Sequence, residues 1–471
     1  MSHELEDKCG LFGYSGRGEN DAAQVVRIGL SGVQHRGQEA AGMATTDGET
    51  IFAHRKSGLV DQVFYGVNWD DLPGSIAIGH TRYSTSGGKG HEQPVLPHFA
   101  LAHNGTISNT AELDKFNKEK GRFNPDHNDT EKAHTAIDYY YTELKYPLAK
   151  AMQAAKPLLT GAYALLAMDK EGIVAMRDDV GIRPLIIGKK DENYVLASET
   201  CALDVIGAEY LRDVRPGEIV TVKEKRLRSV RTTDNEERPC VFEYIYLKRP
   251  DSRVDGEAIE EIRERIGREL AREDREKDKE NPINIDVVIG VPDSGTPYAI
   301  GYADEAGLRY RRGIINGGKL PRSFIEEGAK RDPIIGEKLN VVTEVVKDKD
   351  VLVAEDSIVH GNSIRIMVRK LRKAGARSVH VRVGSPPIIY PDPYGINTPN
   401  QEELFAFNKT VKEMLEALGE DAPDSLRYVS NGGLENGIGK PLDELTTSCL
   451  TGIYPIKPSK EMQESIVYRN K

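Results

Sequence analysis

Cys9 stands directly before Gly10 and an apolar run. In isolation a small buried cysteine is the plain reading. Further along lie residues that could work beside a thiol. They are Arg36 in QHRGQE, His80, Thr81 and Arg82 in GHTRYSTSGG, Asn104 and Gly105 in AHNG, and Asp129 in NDTE. A thiolate is a strong nucleophile, but an ordinary thiol ionises only near pH ~8.5. A free α-amino group on the same residue can serve as its base, since its own pKa lies near neutrality. That requires Cys9 to be the first residue of the working chain.

A second constellation sits in the other half. Glu355 and Asp356 follow an apolar run and lead through Ser357 to Gly361, Asn362 and Ser363. Adjacent carboxylates at a strand end can hold ribose hydroxyls and a magnesium ion (Mg2+), because hard cations take oxygen ligands. A Gly-Asn-Ser turn opening a helix can present N–H groups to a phosphate. A plain strand-to-helix turn with an acidic cap is the alternative.

The elements around these residues differ between the halves. Short β segments are expected at 11–14, 75–80, 163–168, 173–177, 194–198 and 219–222, separated by glycine and Asp/Asn turns. Helices are expected at 21–30 and 131–145. The charged stretch 223–238 reads as a hairpin or linker, and the domain boundary is placed there. Beyond it, Ile259, Ile262, Ile266 and Leu270 recur at helical spacing, so 256–277 is expected to be an amphipathic helix with a solvated charged tail. Strands at 285–291, 350–354 and 378–383 then alternate with helices at 296–306 and 363–374. Such alternation argues a parallel sheet covered on both faces.

Composition narrows the class. The chain has 471 residues, enough for two or more domains, with 38% hydrophobic and 29% charged residues. There are 64 basic and 74 acidic residues, a formal net charge of −10, and no strongly basic run, so nucleic acid is not expected as a partner. No apolar stretch approaches the ~18 residues of a membrane span, so no membrane partner is expected. The start, MSHELEDKCG, is polar and unlike a secretory signal. Cys9, Cys201, Cys240 and Cys449 lie far apart, with no C-x-x-C spacing. A reducing, cytoplasmic setting is the expectation. Cys201 in SETCALD reads as core.

The segments around Cys9, Arg36, Arg82, Asn104–Gly105 and Asp129 stand in the order of the class II glutamine amidotransferases, and the first half resembles that family. The resemblance implies an N-terminal-nucleophile four-layer αββα sandwich over residues 9–238 and a propeptide, residues 1–8, removed on maturation; a leader that stays attached is the alternative. It also implies roles. Asn104 and the Gly105 N–H would form the oxyanion hole. Arg82 would pair with the glutamine α-carboxylate and Asp129 with its α-amino group. His80, Thr81 and Arg36 would shape the site, Arg36 being equally readable as a structural ion pair.

The second half resembles the type I phosphoribosyltransferases, implying a parallel α/β domain over residues 239–471. CVFEYIYLKRPDS, GVPDSGT, PRSFI, the Lys338–Leu339 pair and SPPIIYPDPYGINTP join the earlier motifs. Together the chain resembles the glutamine phosphoribosylpyrophosphate amidotransferase family. The implied reaction splits glutamine at Cys9 and channels ammonia to C1 of phosphoribosylpyrophosphate, the first step of purine synthesis. Asp293, Ser294 and Gly295 would contact the pyrophosphate, with Arg322 and Lys338 as further sugar-phosphate contacts. Glu355, Asp356 and Ser294 would serve the metal. Homo-oligomers and regulation by purine nucleotides are implied as well.

Departures from the family pattern cluster by sign. The usual Lys or Arg is missing at Asn316, Gly318, Gly336, Thr343 and His360, and Lys319 partly compensates. Phosphoribosylpyrophosphate is strongly anionic, so the loss allows two rivals. One aminates a different activated sugar phosphate; the other keeps the glutaminase beside a degenerate regulatory half. At the positions where some members carry a four-cysteine cluster, this chain has Cys240, Asp392, Thr446 and Cys449. Two thiols cannot make that site, so no iron–sulfur cluster is expected.

Overall fold

The computed structural model describes residues 9–16, 21–83, 90–280, 282–317, 339–394, 400–458, 463 and 466–467. In the first half, two antiparallel sheets stack face to face. One has seven strands in the order Glu209–Asp213, Ile186–Lys190, Asn193–Ala197, Gly10–Ser15, Ile76–Arg82, Ala40–Thr46 and Ile51–Ser57. The other has five, in the order Arg226–Arg231, Glu218–Lys223, Ile173–Arg177, Gly161–Met168 and Ala100–Ile107.

Alternation along the strands builds the layers, because successive side chains point to opposite faces. Leu11, Ile78, Ala102, Leu166 and Val220 share one cluster between the sheets. Phe12 points the other way, against Val26 and Leu30 of the helix Ala22–Gly32. Leu101 and Leu165 leave the second sheet on its far side, where they meet Leu113, Ile137 and Met152. Those three come from the helices Thr110–Glu119, Asp129–Asp138 and Leu148–Ala155. The result is a helix–sheet–sheet–helix sandwich. The hairpin expected within 223–238 is the turn into strand Arg226–Arg231, and the chain then runs extended beside residues 180–182.

The second half carries four parallel strands in the order Val287–Gly290, Asp350–Glu355, Ser378–Val383 and Ser425–Tyr428. Val288, Leu352 and Ala354 face the helices Ile259–Lys277 and Thr296–Ala306, while Val287, Ile289, Val351 and Val353 face Asn362–Lys373 and Val411–Leu418. Both faces of the sheet are therefore covered, as continuous β-branched runs require. The buried cluster on the first of these faces also takes in Ala162 and Ile182 from the sandwich half.

Two expected helices differ in extent. The amphipathic helix begins at Ile259 rather than Gly256, because Arg253–Val254 and Glu257–Ala258 pair as a minimal hairpin around Gly256. The helix expected at 131–145 starts at Asp129 and stops at Asp138, where the turn widens over Tyr139–Glu143. Among the described residues no helix is long and apolar enough to cross a membrane.

Candidate active site

Cys9 immediately precedes the strand Gly10–Ser15, which lies between Ile76–Arg82 and Asn193–Ala197. Register pairs Gly10 with Thr81, which sets Arg82 beside Cys9. Thr81 fastens the two strands, its Oγ1 accepting from Gly10 N at 3.1 Å and donating to the Val33 carbonyl at 3.3 Å. Cys9 is buried, with its Sγ 4.0 Å from the Tyr83 carbonyl oxygen.

Arg36 grips Cys9 through its backbone. The Cys9 N–H donates to Arg36 O at 3.1 Å, and Arg36 Nε donates to Cys9 O at 3.3 Å. The rest of the guanidinium is taken by two carboxylates, Glu199 and Glu243, and the side chain is fully buried. Arg36 thus holds Cys9 in place through the main chain. Burial raises the Glu199 and Glu243 carboxyls, but neighbouring cations outweigh it, His35 and Arg36 for the first and Arg36 for the second. Glu199 is held well below the usual carboxylate range and Glu243 below it.

His80 is fully buried and donates from Nε2 to the His103 carbonyl at 3.0 Å, joining the two sheets. Burial lowers its pKa to about 3, so the ring is neutral at ordinary pH.

Asn104 and Gly105 lie on Ala100–Ile107 in the facing sheet, in contact with the strand of Cys9. The Asn104 side chain is buried, and among the described residues neither its Nδ2 nor its Oδ1 has a partner. Buried amides are normally satisfied, so this orphaned donor is suited to a group that arrives with the substrate. Gly105 has φ +130°, and an added Cβ would lie 2.0 Å from the Ala162 carbonyl oxygen. Only glycine fits there. Asp129 opens the helix Asp129–Asp138, which the Asn128–Glu131 capping box starts. Its Oδ2 accepts from Ile107 N at 3.1 Å, two residues beyond Gly105.

In the second half both loops leave adjacent strands at their carboxyl ends, where ligands of open parallel sheets bind. Gly295 packs so closely that a Cβ would lie 2.4 Å from Ala354 O, and Val291 N donates to the same oxygen at 3.0 Å. Asp293 is exposed and Ser294 half-buried, following a cis Pro292–Asp293 peptide. Glu355 ends its strand, and both it and Asp356 are buried. Asp356 N donates to Glu355 Oε1 at 3.2 Å, and Ser357 Oγ donates to Asp356 Oδ1 at 2.5 Å. Gly361, at φ +78°, caps the helix Asn362–Lys373 and faces the Phe405 ring. Asn362 is exposed and Ser363 half-buried at that helix start. Lys338 and Arg322 lie outside the described residues, as do Gly318, Lys319 and Gly336.

His360, standing where the family carries a cation, donates from Nδ1 to the Glu403 carbonyl at 2.9 Å. Asn316 and Thr343 are exposed. The four cluster-type positions converge. Cys240 bridges to Thr446, and Cys449 O accepts from Ile389 N and Tyr390 N at 3.0 Å, close before Asp392. Burial, then the Asp392 carboxylate, pushes both the Cys240 and Cys449 thiols up. That donor set favours protonated thiols over thiolate ligands. Among the described residues no group of three His, Cys, Asp or Glu is placed to hold a metal. Cys201 is buried in the core, as expected.

Sequence reasoning passed over Glu199 and Glu243. Glu243 had a signal, an acid inside the apolar run CVFEYIYL, since a buried carboxylate demands a cation. Glu199, at a strand end in ASET, had a weaker one.

Comparison with known proteins gives a family for each half. Residues 80–205 match the glutamine amidotransferase domain family, and residues 255–383 the phosphoribosyl transferase domain family. Amidophosphoribosyltransferase of Synechocystis is 42% identical over 98% of this chain and 94% of its own length. That of Bacillus subtilis is 40% identical over 96% of this chain and 94% of its own. The solved glutamine phosphoribosylpyrophosphate amidotransferase of B. subtilis, complexed with ADP and GMP, superposes with a TM-score of 0.87 at 38% identity. That superposition covers 96% of this chain and 99% of the other. Likeness across both halves at once does not favour a different acceptor or a decayed transferase half. With identity of this level over nearly its whole length, the chain belongs to the amidophosphoribosyltransferase family.

Proposed function

We propose that the chain transfers the amide nitrogen of glutamine to C1 of phosphoribosylpyrophosphate, releasing glutamate, pyrophosphate and 5-phosphoribosylamine. Cys9 Sγ attacks the side-chain carbonyl of glutamine, and the oxyanion forms against Asn104 Nδ2 and the Gly105 N–H. Collapse expels ammonia and leaves a γ-glutamyl thioester, which water hydrolyses. Arg82 and Asp129 hold the α-carboxylate and α-amino groups of glutamine. The base is the Cys9 α-amino group once residues 1–8 are removed.

In the second half, Glu355 and Asp356 hold the ribose hydroxyls, the start of the helix Asn362–Lys373 holds the 5′-phosphate, and the 293–295 loop faces the pyrophosphate. Arg322 and Lys338 supply cations to the same ligand. Two neighbouring carboxylates fit Mg2+, which is ordinarily bound by one or two carboxylates together with substrate phosphates. When bound, the ion neutralises charge on the leaving pyrophosphate; Glu355, Asp356 and Ser294 are the residues that would serve it. Further parts of the proposal are a cytoplasmic homo-oligomer and regulation by purine nucleotides. The latter is supported by the ADP and GMP carried by the B. subtilis relative.

The observation that carries this reading is the Asn104 amide, buried on the strand that faces the Cys9 strand and without a partner among the described residues. The test is a product count with enzyme whose N-terminal cysteine is confirmed by mass. Equal release of glutamate and pyrophosphate is expected. Cys9→Ala is expected to lose glutamine-dependent turnover and to keep turnover with free ammonia. Glutamate without pyrophosphate, unchanged by added phosphoribosylpyrophosphate, would sink the assignment.

A further inference from the structure

Three consecutive residues after the strand Asn193–Ala197 tie the nucleophile to the transferase half. Ser198 holds the strand of Cys9, since Leu11 N donates to Ser198 Oγ at 2.9 Å and Ser198 N to Leu11 O at 3.1 Å. Thr200 faces the opposite way, and its Oγ1 accepts from Arg253 N at 2.7 Å. Glu199 lies between them, fully buried, and its two oxygens serve different partners. Oε1 accepts from His35 Nε2 at 2.8 Å and from Arg36 Nη1. Oε2 accepts from Arg249 N at 3.0 Å and Ser252 Oγ at 2.6 Å, with Cys201 Sγ at 3.7 Å. Arg249 Nη1 reaches back to Gly32 O at 3.1 Å, at the end of the helix that precedes Arg36.

One carboxylate therefore spans two elements. On one side is the turn whose Arg36 grips both the N–H and the carbonyl of Cys9. On the other is the Arg249–Arg253 segment, which leads toward the helix Ile259–Lys277. A buried carboxylate with this many donors is rigid, because each donor lost leaves it less satisfied away from water.

We infer that Glu199 is a positioning residue for the glutaminase reaction, fixing Cys9 through Arg36 and referencing that position to the 249–253 segment of the transferase half. It touches neither glutamine nor the sugar phosphate. The inference rests on the assignment of Cys9 as the nucleophile. It adds that the thiol's placement is set in part by the other half of the chain. An aspartate cannot replace it, since a side chain one methylene shorter cannot reach both sets of donors.

The test uses the full chain with Glu199→Gln and, separately, Ser252→Ala. Four quantities are read: kcat and KM for glutamine, turnover with free ammonia, and the rate of Cys9 alkylation by iodoacetamide, located by peptide mass. For Glu199→Gln, kcat with glutamine is expected to fall at least tenfold, with KM within threefold. Ammonia-dependent turnover is expected to stay within twofold, and alkylation to rise at least threefold as the thiol loosens. An equal fall of both activities, or an unchanged kcat with glutamine, overturns the inference. If Glu199→Gln does not fold, Ser252→Ala removes one donor on the transferase side alone. A threefold or larger fall in the glutamine reaction with ammonia turnover intact then supports the link, and no fall overturns it. Should wild-type enzyme show no glutamine-dependent turnover that Cys9→Ala abolishes, the functional assignment fails separately. Alkylation of Cys9 still decides the positioning, a rise supporting it and an unchanged rate overturning it.

Discussion

Arg36 and Glu243, 207 positions apart in the chain, meet as a fork. Nη1 lies 3.1 Å from Oε2 and Nη2 lies 2.9 Å from Oε1. Both side chains are buried, and Arg183 Nη1 stands 3.6 Å from the same carboxylate. Removing one partner of such a pair leaves charge stranded in the interior. Glu243→Ala is expected to cost about 3 kcal/mol of stability, at the lower end for buried pairs because Glu199 still holds Arg36. Urea denaturation of the variant against wild type measures it; a change of under about 1 kcal/mol would show the pair to be slack.

Asn104 makes the opposite prediction, a large kinetic effect with little structural cost. Among the described residues its amide has no partner to lose. Asn104→Ala is expected to lower glutamine-dependent kcat by about 10² to 10³, the usual worth of an oxyanion donor. The melting temperature should stay near wild type. A kcat within threefold of wild type would remove Asn104 from the oxyanion role.

Gly361→Ala tests the phosphate turn. The residue sits at φ +78°, and a Cβ there would lie 2.7 Å from the Phe405 ring. Left-handed backbone alone costs an alanine about 1–2 kcal/mol. The expected outcome is a rise of about tenfold in KM for phosphoribosylpyrophosphate in the ammonia-dependent assay. Glutamine hydrolysis should be little changed. Equal damage to both activities would argue a general loss of fold.

Acid should destabilise the sandwich through two histidines. Burial lowers the pKa of His80 to about 3 and that of His134 to about 4. In the unfolded chain both take a proton below about pH 6.5. Between those limits the unfolded state binds more protons, so stability is full above about pH 6.5 and falls as the pH drops toward 4. The slope reaches at most about 1.4 kcal/mol per pH unit for each ring. Urea midpoints at pH 7 and pH 5 should differ accordingly, and His134→Gln should narrow the gap. A wild-type midpoint unchanged across that range would contradict the prediction.

Elements with strong local patterns were legible in the sequence. The strands Ile173–Arg177 and Ser378–Val383 fall where alternation and β-branched runs place them. The helix Leu148–Ala155 was not legible, because its buried face is built partly from Ala151 and Ala155, which give little hydrophobic contrast. Helix Asp129–Asp138 was expected to run on because its periodicity continues into Tyr139–Glu143, where only the backbone turn widens. Candidate site residues such as Cys9, Asn104 and Asp356 stand out in the sequence by type and neighbours. The carboxylates that hold Arg36 do not, because Glu199 and Glu243 lie 163 and 207 positions away from it. Pairings of that range are set by the fold and leave no local pattern.

The cluster in which Ala162 and Ile182 lie with Cys240, Phe242, Tyr298 and Tyr394 has an evolutionary corollary. The two recognisable families match residues 80–205 and 255–383, yet one continuous interior runs between them. Expressed alone, either half would present an oily face and an unbalanced charge to solvent, inviting aggregation. Exchange of halves between distant lineages should therefore succeed only when this seam is inherited as a unit. Residues on both sides of it are expected to change together.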